Sequence, residues 1–414
     1  MDDPEPGQDR SPRVRLACRW VVGLGVLFRV VEYLADRGYW LDETTLSLSL
    51  RAMATAGFLA PLTGTQIAPP GFLAAERFAS LTLGDRSYAL RLFPLACGVA
   101  SLPMFDALAS RVLRPAAALI ALGMFAVSDD LIYFSAELKQ YESDAAVALA
   151  CTWMALVMAS RPPMARRALG FAAAGAAAVW FSHPAVFVLA GVGTALLGSA
   201  LARREWRTAA LLIPTGLAWV ASFAAVHAVS RVHLGPPGAM YLFWNFAFPP
   251  RAFSDPGGAV WWARRFLYLF VNPLDFWTPL GSTVSAVPAL AFFAVGCVSL
   301  WARDRRALGI VAAPGLFTAL AACLHLYPFH GRLVLFLVPS LLLLIAEGAG
   351  RVGGASRGFP VPLRRAAWGV ILVPLLLFPT LRAVYHLETR RPLRDFNTHG
   401  DRRPESLAPE RFPF

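Results

Sequence analysis

Apolar runs long enough to cross a lipid bilayer recur along almost the whole of this 414-residue chain. A transmembrane helix needs about 20 predominantly apolar residues. Because backbone polar groups in lipid must be paired within their own segment, and because the runs are continuous rather than alternating, each is expected to be a helix and not a barrel strand. The sequence therefore predicts an all-α integral membrane protein with about eleven transmembrane helices. The runs cover residues 16–34, 88–110, 115–134, 144–160, 168–182, 185–202, 208–230, 284–302, 307–326, 333–349 and 366–385.

The charged residues agree with a membrane protein and indicate its orientation. Only 15% of the residues are charged, whereas a soluble domain carries about 25%. The net charge of +12 comes largely from arginines clustered between apolar runs, so it indicates membrane topology and does not predict nucleic-acid binding. With the N-terminus inside, every short inner connection carries at least two arginines. These connections are 111–114, 161–167, 203–207, 303–306 and 351–365.

This topology divides the chain into three parts. Residues 1–15 form a cytoplasmic tail, residues 16–385 a transmembrane domain, and residues 386–414 a polar outer tail. Two outer loops are long, 35–87 and 231–283. Residues 44–56 of the first are predicted to form a helix along the membrane surface. The second is rich in aromatic residues, which suit an interfacial position: Trp244, Trp261, Trp262, Phe266, Tyr268 and Trp277.

The first outer loop opens with two adjacent acids, Asp42 and Glu43. Such a pair can supply a general base or a metal ligand, and its ordinary alternative is a pair of solvated loop acids. Further along, Gln66 precedes a Pro-Pro-Gly stretch that fixes a rigid, non-helical path. That stretch either shapes a pocket wall or is a simple loop turn.

Two later outer segments carry cations. Lys139 is the only lysine of the chain, and it lies with Glu137 and Tyr141 in a dense polar cluster over residues 128–144. A compact ammonium suits a phosphate or an acidic partner, and the alternative is a local salt bridge with a neighbouring glutamate. Arg332 follows the turn at 327–331. It either meets an anionic headgroup or snorkels at the interface.

Several kinds of cofactor site are not predicted. The sequence contains no Walker loop, no dinucleotide fingerprint and no Gly-x-Ser-x-Gly element. It also lacks Asp-x-Asp and the His-x-x-x-His and His-Glu-x-x-His patterns, so we expect no cofactor, and a divalent metal is not favoured. The five cysteines lie in or beside apolar runs without Cys-x-x-Cys spacing, which indicates neither a disulfide framework nor a metal site.

The order of these motifs resembles the GT-C superfamily of polytopic glycosyltransferases, over roughly residues 20–350. The nearest branch is the bacterial family-39-like enzymes, related to protein O-mannosyltransferases and aminoarabinose transferases. The stretches that carry the resemblance are LDETTLSLSL, QIAPPGF, the Arg91-x-x-Pro94 helix, YFSAELKQYESD, WFSHPAVF and YPFHGRLVLFLVP.

The resemblance implies a hexosyl- or pentosyltransferase in the bacterial inner membrane, acting on its periplasmic face. Its donor would be a polyprenyl-phosphate-linked sugar, and its acceptor a hydroxyl on a lipid, glycan or protein. Asp42 would be the general base with Glu43 in support, and transfer would invert the anomeric centre. The remaining site residues would bind substrate, with the cations holding the lipid phosphate: Gln66, Arg91, Glu137, Lys139, Tyr141 and Arg332.

Two departures from the family keep other functions open. Gln66 stands where many members have His or another polar group before the Pro-Pro pair, and the chain ends in a polar tail where many have a soluble domain or further spans. The alternatives are a polytopic transporter or lipid flippase, and a structural or inactive member. A transporter favours internal repeats and charges at mid-span. No repeat is visible here, and the candidate polar groups lie at the outer edge.

Overall fold

The structure is a computed structural model that describes residues 10–63, 66–231, 243–250, 256–276 and 282–390. Within these ranges the regular structure is entirely helical. The helices up to residue 230 are α1 (Pro12–Leu34), α2 (Leu41–Ala56), α3 (Pro70–Leu83), α4 (Ser87–Leu90), α5 (Leu92–Val112), α6 (Pro115–Val127), α7 (Asp129–Phe134), α8 (Tyr141–Ser160), α9 (Ala165–Phe181), α10 (Ala185–Ala202) and α11 (Trp206–Ser230).

The later helices are separated by shorter helical turns. They are α12 (Pro256–Leu269), α13 (Ser282–Arg303), α14 (Arg305–Cys323), α15 (Val338–Ala355), α16 (Val361–Leu372) and α17 (Phe378–Arg390). The 3-10 segments are Asn245–Ala247, Gly331–Leu337 and Ser356–Gly358, and a π-helical turn, Val373–Leu377, joins α16 to α17.

The prediction of an all-α, multi-pass membrane protein is confirmed. Eight helical stretches of the described residues are long and apolar enough to cross a membrane. They are α5, α8, α10, α11, α13, α14, α15 with its flanking 3-10 segments, and α16 joined to α17. The predicted count of eleven is not confirmed. The other three runs form α1, which carries several charges, α6, which has 13 residues, and α9, which has 17.

The first outer loop folds into helices, as predicted for residues 44–56. The helix begins earlier, at Leu41, so Asp42 and Glu43 lie in its first turn. Glu43 helps to start it by accepting a hydrogen bond from the Trp40 N–H at 3.2 Å. The apolar face of α2 packs against α3 and against Leu138, which precedes α8. This buried cluster comprises Leu46, Leu50, Met53, Leu62, Ala68, Phe72, Leu73, Leu90 and Leu138.

Glycines let pairs of long helices approach to backbone contact. A Cβ atom at Gly296 of α13 would lie 1.8 Å from the Leu344 carbonyl oxygen of α15. One at Gly348 of α15 would lie 1.8 Å from the Phe292 carbonyl oxygen. Small residues at such crossings are how helices gain close packing in a membrane, where hydrophobic burial between helices gives little drive. We therefore regard α13 and α15 as a locked pair.

The C-terminal helix runs beyond its expected end. The polar tail was predicted to begin at residue 386, but α17 extends to Arg390. His386 lies within it, and its Nδ1 atom is 2.6 Å from Oδ2 of Asp129. Residues 391–414, the rest of the predicted tail, lie outside the described residues. Trp277 of the second outer loop also lies outside them.

Helix α3 contains a buried acid that has no counterion among the described residues. The Glu76 side chain is fully buried, and neither carboxylate oxygen has a hydrogen-bond partner among the described residues. Burial raises the pKa of Glu76 well above its usual value. We expect the folded protein to hold Glu76 in its protonated form at neutral pH, because an uncompensated buried carboxylate is expensive.

This arrangement predicts the pH dependence of stability. Once the pH exceeds the pKa of an unfolded-state glutamate, about 4.3, the unfolded chain releases the proton and the folded chain keeps it. The free energy of unfolding should then fall by about 1.4 kcal/mol per pH unit until the raised pKa is reached. The stability of Glu76→Gln relative to the wild type should increase as pH rises from 5 to 8, because glutamine does not titrate. Thermal denaturation of both proteins in detergent measures this. A difference between the two proteins that does not change with pH would contradict this.

Candidate active site

Asp42 meets Arg332 at the end of the bundle where α8 begins. Nη2 of Arg332 donates to Oδ2 of Asp42 at 2.9 Å, although the two residues are 290 positions apart. Asp42 comes from the first turn of α2, and Arg332 from the 3-10 segment that leads into α15. The two side chains are 19% and 9% exposed. The fold thus brings a predicted base and a predicted phosphate-binding cation into direct contact.

Gln66 and Lys139 extend this pair into a four-residue cluster. Nε2 of Gln66 lies 3.4 Å from Oδ1 of Asp42 and donates to it. Oε1 of Gln66 accepts a hydrogen bond from Nζ of Lys139. One amide therefore links the carboxylate to the ammonium. Two cations and one carboxylate come together here from three separate segments that were predicted to lie on the outer side, and we call Asp42, Gln66, Lys139 and Arg332 the polar cluster.

Aromatic rings surround the guanidinium group of Arg332. Its central carbon lies 5.4 Å from the ring centre of Tyr141, 5.7 Å from that of Trp244 and 6.0 Å from that of Trp40. Rings at these distances attract a cation through their quadrupoles and keep its side chain in place. Tyr141, predicted as a substrate-binding residue, therefore contacts the polar cluster through Arg332.

Burial and charge act against each other on the polar cluster. Burial raises the pKa of Asp42, but Lys139 and Arg332 outweigh it and hold that pKa below its usual value. Burial lowers the pKa of Lys139, and its attraction to Asp42 only partly offsets this. At neutral pH Asp42 is therefore an anion, as a general base must be. Lys139 loses its proton more readily than an ordinary lysine.

Glu43, next to Asp42, faces the interior. Nε and Nη2 of Arg91 each donate to its carboxylate at 2.9 Å, and the Leu138 N–H donates at 2.8 Å. Both Glu43 and Arg91 are buried. Although burial raises the pKa of Glu43, Arg91 lowers it below the usual value. The two residues form a bidentate pair that fixes α2 against the junction of α4 and α5.

Glu137 is fully buried beside the polar cluster. Burial and the negative charge of Glu43 raise its pKa to about 7, while Arg37 and Arg332 act in the opposite direction. The Glu137 side chain therefore changes from neutral to negatively charged near neutral pH, close to Lys139 and Asp42.

Solved membrane proteins share this architecture. ArnT from Cupriavidus metallidurans in the apo state aligns with a TM-score of 0.54 and 16% identity, over 95% of this chain and 76% of that one. ArnT from the same organism bound to undecaprenyl phosphate gives 0.54 and 15%, over 94% and 76%. The archaeal oligosaccharyltransferase AglB from Archaeoglobus fulgidus, in complex with an inhibitory peptide and a dolichol-phosphate, gives 0.55 and 13%, over 92% and 56%.

These proteins belong to the GT-C superfamily, and the alignment covers nearly the whole of the described chain. The chain has the GT-C fold. The predicted resemblance is thus confirmed for the fold. No protein-family model and no curated protein matches the sequence.

The GT-C fold gathers some of the predicted site residues and separates others. It brings Asp42, Gln66, Lys139 and Arg332 into one cluster, with Tyr141 against Arg332. Arg91, predicted to bind substrate, has its guanidinium engaged by Glu43 and by the Arg37 carbonyl oxygen, which accepts at 2.7 Å. The predicted phosphate-binding cations therefore lie in two different places. Lys139 and Arg332 are in the polar cluster with Asp42, whereas Arg91 is paired with Glu43.

The residues that support Arg332 were not predicted from the sequence. Arg265 of α12 contacts Nδ1 of His330, and Nη2 of Arg265 donates to the Phe246 carbonyl oxygen at 2.6 Å. The His330 ring also stacks on Tyr268, with ring centres 5.0 Å apart. Burial, together with Arg265 and Arg332, lowers the pKa of His330 to about 3, so its ring is neutral. The aromatic density of the second outer loop was the available signal, but it indicated only an interfacial position.

Among the described residues, one group has the atoms to hold a metal ion: Asp129, Asp275 and His386, with ligand atoms within 4.8 Å of one another. His386 lies against Asp129, however, and Nη2 of Arg382 lies 2.7 Å from Oδ1 of Asp275. A cation is thus already beside the acids, and the group fits a structural ion-pair network. The expectation that no metal is required stays a prediction.

Proposed function

We propose that this protein is a glycosyltransferase that moves a sugar from a polyprenyl-phosphate donor to an acceptor hydroxyl on the outer side of the membrane, with inversion. The observation that carries the proposal is the contact of Asp42 with Arg332, extended through Gln66 to Lys139. It combines an anionic base with two cations at one end of a GT-C fold. The solved structures with this fold include one bound to undecaprenyl phosphate and one in complex with a dolichol-phosphate.

The reaction requires these two kinds of group close together. The Asp42 carboxylate accepts the proton of the acceptor hydroxyl as its oxygen attacks the anomeric carbon of the sugar. The bond between that carbon and the phosphate oxygen breaks, and the polyprenyl phosphate leaves with the electron pair. Lys139 and Arg332 stabilise the negative charge that grows on the phosphate, which lowers the barrier because the attraction is greatest in the transition state.

The adjacent acids explain why the proposal specifies inversion. A retaining mechanism uses a second carboxylate as the nucleophile, close to the first. Glu43 is fully buried, and its oxygens accept hydrogen bonds from Arg91, Leu138 and Trp40. We infer that it supports Asp42, as expected from sequence, by positioning α2. Asp42 acts alone in a single displacement, whose product has the inverted configuration.

The resting contact between Asp42 and Arg332 has a role in this scheme. In the structure, the charges of Asp42 and Arg332 offset each other across the 2.9 Å ion pair. A donor phosphate offers Arg332 a stronger, bidentate partner. We infer that donor binding draws Arg332 away from Asp42 and so makes the carboxylate available to the acceptor.

The reaction class is tested with membranes that express the protein, given a panel of radiolabelled polyprenyl-phosphate sugars. Transfer of label from one donor to an endogenous acceptor, absent from membranes without the protein, is the expected result. A donor panel of pentoses and hexoses also identifies the sugar. Solute uptake by proteoliposomes without any sugar transfer would instead favour a transporter.

The buried ammonium predicts the alkaline limb of the pH profile. The transfer rate at low donor concentration should fall as Lys139 loses its proton, at a pH below the usual lysine pKa of about 10.4. Arginine keeps its charge throughout this range. Lys139→Arg should therefore transfer sugar with little alkaline decline, even where its maximal rate is lower. The measurement is the initial rate from pH 6 to about 10.5, the upper end being set by the usual lysine pKa.

The reciprocal variant provides the control. Arg332→Lys replaces an always-charged group with one that can titrate, so its alkaline decline should be at least as steep as that of the wild type. If Lys139→Arg retains the wild-type decline, Lys139 is not the group that titrates, and its assignment to the phosphate fails.

A further inference from the structure

A cavity of about 640 Å³ opens at the opposite end of the bundle from the polar cluster. Helix α8 connects the two ends. Tyr141 at its start contacts Arg332, and Ser160 at its end lines the cavity. Twenty residues of α-helix span about 30 Å, the thickness of the hydrocarbon core. The cavity thus lies at the other membrane boundary, beside the arginine-rich connections predicted to be cytoplasmic.

The lining of the cavity is strongly basic. It includes four arginines, Arg161, Arg204, Arg207 and Arg306, against one acid, Glu205. Arg161 lies in the α8–α9 connection, and Arg306 lies at the start of α14. Arg204 and Glu205 lie in the turn between α10 and α11, and Arg207 lies in the first turn of α11. Four cations around one concave space attract an anion, and guanidinium groups bind phosphate oxygens in particular.

Arg306 anchors one wall and retains hydrogen-bonding capacity. Its Nη1 donates to the Ala159 carbonyl oxygen at 2.8 Å, and its Nη2 lies 3.6 Å from Oε2 of Glu205. Its Nε is buried and has no hydrogen-bond partner among the described residues. A buried N–H group without an acceptor costs free energy, so this wall of the cavity holds a guanidinium group that is not fully satisfied by the described residues.

The surroundings favour a lipid as the source of the anion. Trp206 lines the cavity and is 64% exposed, as is usual for tryptophan at a membrane interface. On the neighbouring helices, Leu169 and Leu201 are exposed apolar residues that suit contact with acyl chains. Basic pockets between transmembrane helices on the cytoplasmic side bind anionic headgroups.

We propose that this cavity binds the phosphate of an anionic phospholipid such as phosphatidylglycerol, and that the bound headgroup ties α8, α11 and α14 together. The site is separate from the proposed sugar transfer, because none of its lining residues belongs to the polar cluster. A bound lipid that holds three helices should stabilise the folded protein by mass action.

The test is thermal denaturation of the purified full-length protein in a neutral detergent. Phosphatidylglycerol should raise the unfolding temperature, and phosphatidylcholine should not. Arg161→Gln/Arg207→Gln changes two exposed cavity arginines, so the protein should still fold. It should need on the order of 10-fold more phosphatidylglycerol for half of the effect. Arg351→Gln/Arg365→Gln removes the same charge from exposed positions outside the cavity and should respond like the wild type.

Three outcomes would overturn the proposal. If the cavity variant and its matched control lose the stabilisation by phosphatidylglycerol equally, general surface charge attracts the lipid. Loss of the effect in Lys139→Ala, with the cavity variant unaffected, would place the lipid at the polar cluster. Full stabilisation by inorganic phosphate alone would keep an anion site but replace the lipid with a soluble phosphate.

Discussion

Asp42→Asn should abolish sugar transfer while leaving the protein folded. Asparagine has nearly the same shape, and it can still accept a hydrogen bond from Arg332, but it cannot take a proton from the acceptor. A positioned general base contributes about 10²–10⁴-fold to rate, so the rate should fall by that factor at saturating donor. The measurement is the initial rate of transfer in membranes, normalised to the amount of inserted protein.

Asp85→Asn is the matched control for this variant. Asp85 lies in the same outer loop, is 39% exposed and pairs loosely with Arg51 at 3.7 Å. It undergoes the same chemical change away from the polar cluster, so transfer should be unaffected. If Asp42→Asn retains the wild-type rate while inserting normally, the base assignment is wrong, although the assignment of the protein as a transferase stands.

Glu43→Gln, unlike Asp42→Asn, should mainly reduce the stability of the folded protein. It removes the buried acid that pairs with buried Arg91 at 2.9 Å and leaves Arg91 only the partly exposed Asp36 at 3.6 Å. Breaking one partner of a buried ion pair typically costs about 3–5 kcal/mol. We expect a correspondingly lower free energy of unfolding and a lower yield of inserted protein, measured by thermal denaturation in detergent. Transfer per folded molecule should fall less than in Asp42→Asn.

A double substitution separates the ion pair from other effects. In Glu43→Gln/Arg91→Met no buried charge is left unpaired, so the double variant should be more stable than the sum of the two single losses implies. The exposed Arg51–Asp85 pair provides the comparison, since losing it should cost about 1 kcal/mol or less. Additive losses in the double variant would contradict the assignment of Glu43 and Arg91 to one pair.

The clustering of Asp42, Lys139 and Arg332 could be predicted because membrane topology constrains it. Alternate connections between spans must lie on the same side, so Asp42, Lys139 and Arg332, each in an outer connection, were candidates for one site. The count of spans was harder, because α1 carries charges throughout and α6 is short. Hydropathy cannot distinguish a charged helix packed inside a bundle from one that is not a span.

The division of roles between neighbours could not be predicted. Consecutive residues of a helix point about 100° apart, so Asp42 faces Arg332 while Glu43 faces Arg91. The sequence alone did not show which of the two acids would face Arg91, and the pairing of Arg91 with Glu43 was not predicted. The rotation of α2 depends on the apolar contacts of Leu46 and Leu50 with α3, which are tertiary packing.

The locked pair of α13 and α15 has a consequence for how the protein responds to a donor. Arg332 lies a few residues before α15, whose backbone touches α13 at Gly296 and Gly348. On the other side, Asp42 stands on a helix held by the Glu43–Arg91 pair. Neither support can slide without breaking close contacts. Under the proposed function Arg332 therefore exchanges partners by rotating its side chain, and we expect the helices to superimpose whether or not a donor is bound.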